Sequence, residues 1–151
     1  MANTQAMCTS FKTEVLNGIH ALGTTVIRAG TGADTIKAAL YLASATVNAA
    51  TTAYSATGEV SGTGYTAGGV TATNATAPTS SGTTAYWTPS ASFTYTTVTL
   101  ATSFDCVLLY NSTQANKSIS AHTFGAQTIT AGTFVLSMPA NDASNALIRI
   151  A

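Results

Sequence analysis

Between residues 92 and 100 the segment SFTYTTVTL sets Phe93, Tyr95, Thr97 and Thr99 on one side of an extended chain and Thr94, Thr96, Val98 and Leu100 on the other. A period of two is the repeat of a β-strand, and a helix does not gather those positions on one face. Strand-like segments recur along the chain: TIKAALYL at 35–42, VTATN at 70–74, TTAYW at 83–87, DCVLLYN at 105–111, KSISAHTF at 117–124, GAQTITAG at 125–132, TFVLSMP at 133–139 and NALIRI at 145–150. Turn signals separate them: the Gly30–Asp34 stretch, Pro78 with SSG at 80–82, and NSTQANK at 111–117, which reads as a hairpin turn. DCVLLYN is almost unbroken apolar sequence, the mark of a central strand buried on both faces. Eight or nine short strands at intervals of about 8–12 residues are the signature of a mainly β chain, an antiparallel β-sandwich or jelly roll.

One segment departs from that period. SFKTEVLNGIHAL at 10–22 carries Phe11, Val15, Ile19 and Leu22 at helical spacing, with Ser10 as N-cap, so one short N-terminal helix is expected there. TTVIR at 24–28 reads as a short strand, and residues 45–56 as a small, Thr-rich stretch with a helical turn. TGEVSGTGYTAGG at 57–69 holds five glycines in thirteen residues and reads as a loop leading into VTATN. With 151 residues, the chain is expected to form an N-terminal arm at 1–9 and a single β domain at 10–151.

Composition narrows the function classes. Charged residues make up 7% of the chain, five cations balance five anions, and Thr and Ala together number 58 (30 and 28). Such a chain has no basic footprint for nucleic acid. No apolar run reaches the roughly 18 residues of a membrane helix, and MANTQAMCTSFKTEV lacks the charged-then-apolar order of a secretion signal. A neutral Thr/Ala surface favours association, so a place in an assembly, as a homo-oligomer, is expected. Cys8 and Cys106 make no CxxC; two buried thiols are expected, with a single bridge as the alternative.

Little of the sequence points to reaction chemistry. The glycines at 58, 62, 64, 68 and 69 do not form GxGxxG or end in Gly-Lys-Ser/Thr, and a strand pattern follows them, so no phosphate loop is expected. His20 and His122, with Cys8, Cys106, Asp105, Glu14 and Glu59, lack metal-ligand spacing, and no GxSxG elbow supports a triad. No enzyme activity, cofactor or metal is expected. Trp87 and the tyrosines at 41, 54, 65, 86, 95 and 110 offer either core packing or a stacking platform for a host glycan, with Tyr65 the best exposed contact. Lys37, Glu59, Asp105, Lys117 and Arg149 fall near strand ends, where they are placed to hold a register or an interface.

The stretches CTSFKTEVLNGIHAL, DTIKAALYLASATVNAATTAYSATGEVSGTGYTAGG, LLYNST, TAGTFVLSMP and NDASNALIRIA together resemble a family of small virion structural proteins of tailed bacteriophages. The resemblance spans nearly the whole chain and is most specific over residues 51–69 and at the C-terminal NALIRIA. It implies a virion protein made in the bacterial host cytoplasm. On that basis the first expectation is a capsid decoration, or cement, protein on the capsid surface whose partner is the major capsid protein. The alternative is a tail or neck component such as a collar or fibre-base protein. The arm and the 57–69 loop are then the parts that grip a neighbour, with Phe11, Gly62, Gly64, Tyr65 and Gly68 as candidate interface residues.

Overall fold

A computed structural model describes residues 3–8, 10, 11, 15, 18–23, 32–73 and 76–151. Eight strands follow in chain order: β1 (Ala6–Met7), β2 (Ile36–Leu42), β3 (Val70–Thr71), β4 (Thr79–Ser81), β5 (Thr84–Trp87), β6 (Phe93–Asn111), β7 (Lys117–Leu136) and β8 (Ile148–Ile150). Every pairing is antiparallel. One sheet runs β1-β7-β6-β2-β3, and a smaller one runs β4-β5-β8. The chain is mainly β, as the alternation predicts.

Two expectations are corrected. No helix running over 10–22 is found: among the described residues the backbone is helical at Ser10, Phe11 and Val15, and Gly18, at φ +66°, turns the chain into irregular structure at 19–23. Positions 12–14, 16 and 17 lie outside the described residues, as does the strand expected at 24–28. The second correction concerns length. Segments 92–100 and 105–111 are one strand, β6, of 19 residues, and the three segments between 117 and 139 merge into β7, of 20 residues. Residues 79–81, expected as loop, form β4, and 45–56 holds turns without a helix.

A straight strand of this length spans about 60 Å. The β6–β7 hairpin does not stay straight. Its register slips at Tyr95/Val98, Val98/Leu100, Leu100/Phe104 and Phe104/Cys106, and Thr97 and Ala131 take positive φ. Extra residues on one strand of a pair bend it and raise its twist. The consequence is visible in the aromatics. Phe124 and Phe134 lie ten positions apart on one strand, about 33 Å if it were straight, yet their ring centroids are 5.3 Å apart. Phe104 meets both rings edge-on, at 5.9 and 5.1 Å. Phe93 and Leu136, at the open end of the hairpin, share a cavity of about 110 Å³ with Val107, Leu109 and His122 near its closed end. The hairpin is therefore doubled over, and a lower limb (104–111 with 117–123) faces an upper limb (93–100 with 128–136) across these side chains.

The lower limb is the buried centre. Cys106 to Asn111 are all buried, as expected of DCVLLYN, and β2 pairs with them from Ile36↔Asn111 to Leu42↔Phe104. Trp87 and Ile148 bury the inner side of the small sheet, and Trp87 Nε1 donates to the Thr76 carbonyl at 3.2 Å. The described part of the expected arm is docked onto this frame: Asn3 Nδ2 donates to Asp105 Oδ1 at 2.6 Å and to the Leu42 carbonyl at 3.1 Å, and β1 pairs with Ser120 and Ala121. Cys8 and Cys106 are both buried thiols. Burial, and then the charge of Asp105, push the Cys106 thiol up to about 12, so it stays protonated.

Candidate functional site

The glycine-rich segment 57–69 is a strap across the two limbs. At one end the Leu42 amide donates to the Gly58 carbonyl (2.9 Å) and the Val60 amide to the Leu40 carbonyl (3.0 Å), which tie it to β2. At the other the Thr99 amide donates to the Thr63 carbonyl (2.9 Å), which ties it to the upper limb of β6. The strap approaches so closely that side chains have no room. A Cβ on Gly62 would stand 2.0 Å from the Thr99 carbonyl oxygen, one on Gly64 2.3 Å from that of Thr97, and one on Gly69 1.7 Å from that of Ala38.

Glu59 is the hub of the strap and is buried. Its Oε2 accepts from the Tyr54 hydroxyl at 2.6 Å, and its Oε1 accepts from the Tyr65 hydroxyl and the Gly68 amide, both at 2.7 Å. Three further tyrosines close the cluster. Tyr110 donates to the Gly68 carbonyl at 2.8 Å, Tyr95 to the Ala38 carbonyl at 2.8 Å, and Tyr41 to the Ser55 carbonyl at 2.5 Å. Tyr54 stacks on Tyr110 with centroids 4.7 Å apart, and Tyr65 on Tyr95 at 6.0 Å. Five of the six tyrosines thus surround the one acid of the strap. A carboxylate that leaves water needs its lone pairs filled, and hydroxyl donors fill them without a counter-charge.

The phenols respond as the geometry requires. Burial, and after it the Glu59 carboxylate, raise Tyr54, Tyr65, Tyr95 and Tyr110, and Tyr41 is pushed up to about 12, mainly by burial. A group whose folded value lies above its unfolded value of 10.0 contributes stability below pH 10.0 and loses it as the pH rises further, because the unfolded phenol then sheds its proton first. Tyrosinate absorbance in an alkaline titration is therefore expected to rise in one steep step that coincides with loss of the β circular-dichroism signal. Gradual ionisation of these five at their ordinary value in a folded protein would contradict the cage.

A second polar node sits at the closed end of the hairpin. Buried Asp34 accepts from the Ala21 amide and from Asn111 Nδ2, each at 2.8 Å, and from Gln114 Nε2 at 3.3 Å. Asn111 Nδ2 also lies 3.1 Å from His20 Nδ1, and Asn111 Oδ1 accepts the Thr113 and Gln114 amides at 3.2 Å. This node fixes the hairpin turn and anchors residues 20 and 21 to it. His20 lines an apolar cleft of about 180 Å³ with Phe11, Tyr86, Trp87, Ile148 and Ile150.

His122 lies between the limbs and bonds to Ser120 Oγ at 2.9 Å. Burial holds its imidazole down at about 4, against an ordinary 6.5. An unfolded chain then takes up a proton between those values that the folded chain refuses, so stability is lost as pH falls from 6.5 towards 4. The expected loss reaches at most ~3 kcal/mol, and His122→Gln is expected to flatten denaturant midpoints across that window.

Compared with known proteins, the chain matches no family model, no curated protein and no solved structure. The site is therefore read from its own residues.

Among the candidate interface residues, Gly62, Gly64, Tyr65 and Gly68 come together on the strap, whereas Phe11 lies apart, 1% exposed, its ring edge-on to His20 at 4.8 Å. Tyr65, expected as an exposed contact, is half-buried because Glu59 and the Leu40 amide draw its hydroxyl inward. Gly68 is buried, and Gly62 and Gly64 are exposed on their outer side only. Trp87, Tyr41, Tyr95 and Tyr110 are buried and Tyr54, Tyr65 and Tyr86 half-buried, with Tyr86 and Trp87 on the wall of the apolar cleft. Among the described residues no cluster of three or more His, Cys, Asp or Glu is placed to hold a metal, and no helix is long and apolar enough to cross a membrane. Sequence reasoning missed the Glu59 hub and the Asp34–Asn111 node. The signal for the first was present: a lone acid in a charge-poor chain, with tyrosines five residues before and six after it.

Proposed function

We propose that this chain is a structural protein of a tailed-bacteriophage virion, a decoration or cement subunit that binds the major capsid protein and holds the shell against internal pressure. One observation carries the reading. The block in which the chain most resembles the virion family, residues 51–69, is the block whose identities the architecture demands: Tyr54, Glu59 and Tyr65 form the cage, and Gly62, Gly64 and Gly69 have no room for a Cβ. A likeness at such positions is a likeness of framework, here a β-sandwich made by doubling one hairpin and strapping it shut. A framework role also fits what the polar groups do. Glu59, Asp34 and Asp105 are engaged with the chain's own donors, and such engagement stiffens a scaffold. Cement proteins act by mass action, because preferential binding to the intact shell becomes shell stability.

The test is copy number in purified virions, weighed against the major capsid protein. A ratio of one or a simple fraction of one is expected, together with DNA release at lower temperature from particles stripped of the protein. A ratio of a few per cent would assign it to the neck or tail instead. Equal release temperatures with and without it would overturn the cement role.

A further inference from the structure

A cavity of about 640 Å³ lies between β1 and β8, the outer strands of the two sheets. Half-buried Met7 and Leu147 give it an apolar wall, and Gln5 and Thr84 bring an amide and a hydroxyl to it. His122 lines it too, its Nε2 engaged by Ser120 Oγ at 2.9 Å. Sites for small organic molecules occupy about 300–1,000 Å³ and combine apolar walls with a few polar groups in this way. No residue of the strap or of the Asp34–Asn111 node lines the cavity, so the two polar clusters that brace the fold make no use of it.

Arg149 gives the cavity its charge. It is the only one of the chain's five cations on the wall, and no acidic side chain lines the cavity. Its Nη1 donates to the Ser144 carbonyl at 2.5 Å, which holds the guanidinium in place. Of its five N–H donors, that is the one with a partner among the described residues. Asp142 stands near enough to feel its charge, yet spends its carboxylate elsewhere. Asp142 Oδ1 accepts the Ser144 amide at 2.8 Å and the Asn145 amide at 2.7 Å, and Asn145 Nδ2 donates to both carboxylate oxygens at 3.0 Å. Neither Asp142 nor Ala151 forms an ion pair with Arg149. Glu59, Asp34 and Asp105 have their donors, whereas this cation has no anion.

We propose that the cavity binds a small organic monocarboxylate, with the carboxylate on the Arg149 guanidinium and the body between the apolar wall and the polar groups of Gln5 and Thr84. Charge and shape select that class. The planar fork of a guanidinium matches a carboxylate at two points. Phosphate or a dicarboxylate would bring a second negative charge, and the wall holds no second cation to meet it. Burial keeps His122 neutral at pH 7, so its ring adds polarity without charge. The inference stands apart from the virion reading, since it concerns the isolated chain.

Two-dimensional amide NMR with N-acetyl-leucine as the probe tests it. The probe carries one carboxylate, one amide and one branched apolar group. Saturable shifts centred on the cavity residues are expected, with a dissociation constant in the millimolar range. N-acetyl-leucinamide, alike in size but uncharged, is expected to bind about tenfold more weakly or less. Arg149→Gln, at an exposed position, is expected to weaken binding of N-acetyl-leucine by about tenfold or more with unchanged melting temperature, and Arg149→Lys, which keeps the charge but not the fork, to fall between. Absence of saturable shifts would overturn the proposal. So would equal binding of the two probes, an Arg149→Gln protein that binds as the wild type does, or inorganic phosphate binding more tightly than the carboxylate.

Discussion

Glu59→Ala is expected to cost about 3–5 kcal/mol of folding free energy, most of it from donors left behind in a dry site. The substitution removes the acceptor of Tyr54, Tyr65 and the Gly68 amide at once. Each hydrogen bond to a charged group contributes roughly 1.5–3 kcal/mol, and a buried donor without an acceptor costs about 1–3 kcal/mol. The sum is tempered because Tyr54, half-buried, can turn to water. For a chain of this length the loss corresponds to a fall in melting temperature of about 10 °C or more. Glu59→Gln separates geometry from charge. Its oxygen still accepts from Tyr65 and Gly68, and its NH₂ donates to the Tyr54 oxygen, so about 1–2 kcal/mol is expected. Tyr54→Phe and Tyr65→Phe each remove one donor, and combined with Glu59→Ala they are expected to add less than their separate costs, as coupled neighbours do. Denaturant midpoints of the single and double variants check this. A Glu59→Ala protein as stable as the wild type would mean that the carboxylate does not organise the strap.

The strands were legible where their own side chains decide them. DCVLLYN is apolar enough to be a central strand in any arrangement, and β2 stands within one residue of TIKAALYL. The joins were not legible. Ala101 to Ser103 and Gly125 to Thr128 are small or polar exposed residues that punctuate a sequence like loops, yet here they are the corner where one long hairpin doubles over. A bulge is a property of two strands in register, and single-strand periodicity holds no record of it. At 10–22 the apolar stripe was legible and the irregular end was not: Phe11, Val15 and Leu22 line one cleft with Trp87 and Ile148, whereas the chain leaves helical backbone by Gly18. At the strap, the glycines announced a loop, but their reason lay in backbone from β2 and β6 far along the chain.

That reason gives the largest expected effect. Gly69→Ala places a methyl 1.7 Å from the Ala38 carbonyl oxygen and 2.5 Å from its carbon, at φ +71°. The obstacle is the backbone of the buried strand β2, which cannot yield as a side-chain tip can. The strap must therefore lift, and in lifting it pulls the Gly68 amide from Glu59 and the Gly68 carbonyl from Tyr110. The φ alone costs about 1–2 kcal/mol for a residue with a Cβ, and the lost contacts bring the total beyond about 5 kcal/mol, within reach of the whole stability of a domain of this size. Two other glycines calibrate the result. Gly82, at φ +59° with nothing near its Cβ position, isolates the backbone term, and Gly82→Ala is expected to cost only about 1–2 kcal/mol. Gly125 lies in open space without a positive φ, and Gly125→Ala is expected to be neutral or to stabilise by up to about 1 kcal/mol through the unfolded chain. Soluble yield and thermal unfolding of the three alanine variants rank them as Gly125, Gly82, Gly69 in order of rising damage. A Gly69→Ala protein no less stable than Gly82→Ala would show that the strap does not lie against β2, and with it the strap's hold on the doubled hairpin would fail.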